Sequence, residues 1–231
     1  GWFFLTYLNY FVRASMQSMM GGGPQTMNTV DAVLTRNLRA EAEKRGYLVF
    51  AVAAPNGDLF FEEGARIFPE FLKGILADYK IQDGKFHIAG PSNGGIASMH
   101  VAALNPQYFL SVTAFPGYMW QPSPAKLQAI AAMCVFMYVG ENDEYRWHGE
   151  MQKEIAYLSS RGTVARYSEE KGQPHRLDTL AGSNAHRLFD NFEETKKGCA
   201  RLRRLGTIDC KKCRVGMSNR KAGHMGLPNS A

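Results

Sequence analysis

Apolar residues fall at Val30, Val33, Leu34, Leu38 and Ala42 within residues 28–45, the three-and-four spacing of an amphipathic helix, and Gly46 stands where a helix terminator belongs. The same period returns at Phe68, Phe71, Leu72, Ile75 and Leu76 within residues 67–79, and further helices are predicted over 126–132, 150–160 and 184–194. Between them lie short runs rich in aromatic and β-branched residues, at 1–12, 47–53, 109–115, 133–139 and 164–168, with one more around Phe86 that ends at Gly90. Strands and helices therefore alternate along the chain. A helix between two strands is a crossover connection, so the pattern predicts an α/β fold whose mainly parallel sheet is flanked by helices. Ligands of such folds bind beyond the carboxyl ends of the strands.

The run around Phe86 leads into Gly90-Pro91-Ser92-Asn93-Gly94 and straight on into a helix of small residues that includes Gly95, Ala97, Ala102 and Ala103 and stops at Asn105-Pro106. Strand, one-residue pivot and helix make a nucleophile elbow, with Gly90 and Gly94 where a Cβ would collide as strand and helix close together. A serine hydroxyl is too weak an acid to attack an acyl carbon unaided, so Ser92 requires an imidazole to take its proton and a carboxylate to orient that imidazole. Asp143 follows the strand at 133–139 in Gly140-Glu141-Asn142-Asp143, and His175 follows the next strand in Gly172-Gln173-Pro174-His175. Glu141 and Glu144 are alternative carboxylates. Among the other histidines, His87 lies in a strand, His100 on the elbow helix, His148 too early in the chain and His186 on the last helix.

These stretches, together with Arg45 to Gly57, resemble bacterial α/β-hydrolases of the esterase, polyhydroxyalkanoate-depolymerase-like and dienelactone-hydrolase-like group over residues 20–195. The resemblance implies an α/β-hydrolase fold, a Ser92, His175, Asp143 triad and hydrolysis of carboxylic esters through an acyl-enzyme, with no cofactor and no metal. It also implies an oxyanion hole from the Asn93 amide and the glycine run containing Gly22 and Gly23. Such proteins carry His-Gly before that run, whereas this chain has Met19-Met20. Further strands upstream are expected from the same comparison, so the chain is read as shortened at its N-terminus. Met119, Trp120, Tyr145 and Trp147 lie on flanking loops and are expected to line a site for short-chain or aromatic acyl groups. Only 18 residues separate Phe115 from Cys134, which predicts a minimal lid. Three alternatives share the motif: a polyester depolymerase, a prolyl-peptidase-like hydrolase, and an inactive hydrolase fold retained for binding.

The 231 residues suit one catalytic domain, residues 1–195, and a basic tail, residues 196–231. The net charge of +6 comes from that tail, which holds ten of the 27 Lys and Arg but only Asp209 of the acidic residues. The remaining body is mildly acidic, so no nucleic-acid partner is expected for it and only the tail has the charge to seek one. No apolar run reaches the roughly 18 residues of a membrane span, no targeting segment is evident, and the cytoplasm is favoured over secretion. The expected partner is a small or polymeric ester substrate. Cys134 reads as a small buried hydrophobe, and the three tail cysteines, with spacings unlike common zinc modules, predict no metal site. The tail is expected to be flexible and dispensable for catalysis.

Overall fold

The computed structural model of the chain describes residues 2–7, 27–53 and 59–198. Among these residues six strands make one sheet: β1 (Trp2–Tyr7), β2 (Tyr47–Val52), β3 (Phe86–Gly90), β4 (Phe109–Ala114), β5 (Cys134–Gly140) and β6 (Ala165–Glu170). Their spatial order is β2-β1-β3-β4-β5-β6 and every neighbouring pair is parallel. The order turns back at β1, with β2 on one side and β3 on the other. The carboxyl end of β3 therefore opens beside the reversal point, where doubly wound sheets form their crevice.

Among the described residues seven α-helices accompany the strands: α1 (Met27–Val33), α2 (Arg39–Arg45), α3 (Phe68–Asp78), α4 (Asn93–Leu104), α5 (Pro124–Ile130), α6 (His148–Ser160) and α7 (His186–Lys196). Side chains alternate across β5, so its two faces feed two separate cores. Val135, Met137 and Val139 pack with Leu72 of α3, Met99 of α4, Ile130 of α5 and Leu158 of α6. Phe136 and Tyr138 pack with Ala42 of α2 and with Leu188, Phe189 and Phe192 of α7. Burial on both faces explains why β5 reads as an unbroken apolar run.

Two expectations change. The single helix predicted over 28–45 is α1 and α2 joined by a widened π-helical turn, Leu34–Leu38, inside which the buried Asn37 donates its side-chain amide to the Leu180 carbonyl at 2.7 Å. Apolar spacing carries no trace of such a polar anchor. Cys134 is fully buried but disulfide-bonded, which corrects its reading as a plain hydrophobe. The other three cysteines lie outside the described residues, as does the tail from residue 199. Among the described residues no helix is long and apolar enough to cross a membrane.

Candidate active site

Ser92 sits between the last residue of β3 and the first turn of α4 with φ +54° and ψ −127°, a conformation that costs a residue with a side chain about 1–3 kcal/mol. The surrounding contacts enforce it. A Cβ on Gly95 would lie 2.2 Å from the Pro116 carbonyl oxygen, and one on Gly117 would lie 2.5 Å from the Gly95 carbonyl carbon. The first turn of α4 is thus pressed against the segment leaving β4. The Gly94 amide donates to the Pro91 carbonyl and the Gly95 amide to the Ser92 carbonyl, both at 2.8 Å. The Asn93 amide is the first of the helix and has no intrahelical carbonyl to bind.

β5 ends at Gly140, where a Cβ would lie 2.1 Å from the Pro174 carbonyl oxygen, so the loop after β6 crosses directly behind the loop after β5. That crossing brings the two loops' side chains together. His175 Nε2 is 2.8 Å from Ser92 Oγ, and its Nδ1 is 3.1 Å from both carboxylate oxygens of Asp143. The Asp143 side chain is enclosed and also accepts the Tyr145 amide at 2.8 Å. Glu141 and Glu144 take different work. Glu141 accepts the Gly172 amide at 2.8 Å and Glu144 the His175 amide at 3.0 Å, so both carboxylates hold the backbone of the histidine loop. The Asn142 amide adds a bond to the Gln173 carbonyl at 2.8 Å.

The competing histidines are occupied elsewhere. His148 bonds the Gly140 carbonyl through Nε2 at 2.6 Å. His87 bonds Ser111 and stacks on Phe192, and burial pushes its pKa down to about 3. Burial, with Lys126 nearby, lowers His100 to about 4. His186 pairs with Asp190 on α7.

Aromatic rings stand around the imidazole. Tyr145 and Trp147 both meet His175 edge to face, with centroids 4.6 and 4.7 Å away, and Tyr118 packs perpendicular to Trp147 at 5.1 Å. Trp120 lies against Phe61 at 5.0 Å. Met119 is fully buried, so its contribution runs through its backbone amide, which Glu154 Oε1 accepts at 2.8 Å. Tyr118, Phe61 and Glu154 escaped the sequence reading; for Tyr118, membership of the same short loop as Met119 and Trp120 was an available signal. Gly22 and Gly23 lie outside the described residues. No group of three or more His, Cys, Asp or Glu side chains among the described residues is arranged to hold a metal.

No protein-family model and no curated protein matches the chain. Solved structures do. A phospholipase/carboxylesterase from Dyadobacter fermentans aligns over 82% of this chain and 88% of its own, with a TM-score of 0.55 and 14% identity. A mutant of the feruloyl esterase module from Clostridium thermocellum, complexed with sinapinate, aligns over 82% and 75% with a TM-score of 0.50 and 12% identity. A thermostable esterase aligns over 58% of this chain with a TM-score of 0.50 and 16% identity, and this chain spans only 38% of that protein's length. What these proteins share with it at such identities is the architecture. The chain has the α/β-hydrolase fold.

Proposed function

We propose that the chain is a serine hydrolase that cleaves carboxylic esters through an acyl-enzyme. The observation that carries this reading is the continuous chain of contacts from Ser92 Oγ through the His175 imidazole to Asp143, with distances of 2.8 and 3.1 Å, built on a strained elbow. In the first half-reaction His175 Nε2 takes the hydroxyl proton as Ser92 Oγ bonds to the ester carbon. The carbonyl oxygen becomes an oxyanion, which accepts a hydrogen bond from the Asn93 amide. Collapse breaks the bond to the alcohol, which leaves with the proton from His175. Water then repeats the sequence on the acyl-Ser92 carbon: His175 takes its proton, returns it to Ser92 Oγ, and releases the acid. Asp143 holds Nδ1–H throughout, so that Nε2 is the nitrogen facing Ser92.

Acyl groups that are short or aromatic fit the setting best. Tyr118, Tyr145 and Trp147 offer ring faces and edges beside His175, and the feruloyl esterase module similar in fold is complexed with sinapinate, an aromatic carboxylate. A panel of p-nitrophenyl and methyl esters differing in acyl part, run with and without Ser92→Ala, tests the proposal. Ester turnover that disappears in the variant is the expected result; absence of turnover across the whole panel, with the protein folded, would favour the inactive binding fold.

A further inference from the structure

Glu154 is the most deeply buried carboxylate outside the Ser92, His175 and Asp143 set whose charge no basic side chain offsets among the described contacts. It lies on the buried side of α6, with Met151, Ile155 and Leu158, and is 5% exposed. Oε1 accepts the Met119 amide at 2.8 Å, and Oε2 is enclosed with no hydrogen-bond partner among the described residues. Met119 belongs to the segment running from the Gly95–Gly117 contact to α5, and that segment is clamped a second time by Lys126 Nζ, which donates to the Trp120 and Gln121 carbonyls at 2.9 and 3.1 Å. The clamped residues are the neighbours of Tyr118 and Trp120. Tyr118 packs on Trp147, and Trp147 packs on His175. A line of contacts therefore runs from one buried carboxylate to the imidazole.

We propose that Glu154 is a positioning residue: its carboxyl holds the Met119 amide and so fixes Tyr118 against Trp147, the ring beside His175, and ionisation of that carboxyl loosens the contact. This rests on the esterase reading insofar as kinetics report it. Burial raises the carboxyl's pKa to about 8, the Met119 amide opposing the rise and Glu150 adding to it. The titratable groups on the elements around it are His148, Tyr157 and Glu150 on α6, the last one turn back and paired with Lys153, Tyr118 on the loop, Lys126 on α5, Tyr167 and Glu169 on one face of β6, and Arg166 and Glu170 on the other. Glu150 and Tyr118 act on Glu154 electrostatically, and neither supplies a positive charge. Below about pH 8 the acid is neutral and the clamp is at rest. Above it, a carboxylate with a single donor must draw in water or swing outward, because one hydrogen bond cannot replace its hydration.

The test has two arms. In the Ser92→Ala background, tryptophan fluorescence, to which Trp120 and Trp147 contribute, is followed from pH 6 to 10. A transition centred near pH 8 that vanishes in Glu154→Gln is expected, since the amide keeps the acceptor for Met119 and cannot ionise. In the active chain, Glu154→Leu should raise KM for a p-nitrophenyl ester on the order of tenfold with kcat changed less than about threefold, and Glu154→Gln should restore KM. A transition that survives in Glu154→Gln, or a Glu154→Leu variant with unaltered KM, overturns the proposal. The fluorescence arm needs no turnover, so it stands or falls separately from the esterase reading.

Discussion

On the proposed esterase reading, Ser92 with a positive φ, His175 held at both ring nitrogens and the enclosed Asp143 act as one unit, because the imidazole is useful only while both of its partners are in place. Replacing any one of them leaves the others without their role, so the losses should not add. Ser92→Ala and His175→Ala are each expected to lower kcat by roughly 10⁴ to 10⁶ without a cooperative unfolding change, and the double variant should be no worse than either. Asp143→Asn should lose as much activity or less. Steady-state kinetics alongside circular dichroism measures both quantities; a tenth or more of the activity surviving in Ser92→Ala would contradict the roles given to the three residues. The sequence reading had named the three residues that the structure brings into contact, since a strand-pivot-helix motif and two strand-end loops announce themselves locally. It missed the backbone anchoring by Glu141 and Glu144 and the clamp by Glu154, which arise where segments distant in sequence cross, at Gly140 and at Gly117.

At the scale of elements, the alternation of strands and helices was legible because both faces of the sheet are covered: β5 has no exposed residue, and its apolar run follows from that. α4 is buried nearly all round and so shows small residues instead of a stripe. The π-helical turn at Leu34–Leu38 was illegible, because the Asn37 bond that accompanies it reaches Leu180, far along the chain. The connection from β4 to β5 bears on substrate size. It spends its 19 residues on a tightly clamped segment and the short helix α5, too little chain for a multi-helix cap. Aromatic rings with no cap over them among the described residues suit a shallow cleft. Activity on p-nitrophenyl esters is therefore expected to peak between acetyl and butyryl and to show no rise when substrate passes its solubility limit. A kcat/KM that climbs steadily to palmitoyl would mean a deep acyl tunnel and would sink this reading of the loop.

For the whole molecule, the parallel sheet sets Ser92 beside the reversal of strand order, while α7 closes the opposite face through Phe189 and Phe192 against Tyr47, Phe136 and Tyr138. α7 extends to Lys196, whose Nζ lies over the Tyr47 ring at 4.7 Å and bonds Glu193. A cut after Gly198 keeps every described element but removes Cys199, Cys210 and Cys213, leaving Cys134 with no second cysteine in the chain. We expect kcat/KM to stay within about threefold and Tm to fall on the order of 5–10 °C, the loss of one cross-link in a domain of this size. Scanning calorimetry of the cut and full chains under non-reducing conditions checks it, and an unchanged Tm would show that the cross-link carries no stability.

The central claim is that Ser92 is a nucleophile activated by His175, and covalent labelling reads it without any assumption about the natural ester. A fluorophosphonate transfers its phosphoryl group to an activated serine oxygen with loss of fluoride, and ordinary serines do not react. Intact mass spectrometry of the full chain should show a single adduct, tandem spectra should locate it on Ser92, and the rate should drop by more than about a hundredfold in His175→Ala, where no base takes the hydroxyl proton. A folded chain that takes up no label, takes it at another serine, or labels Ser92 as fast without His175 would contradict the account.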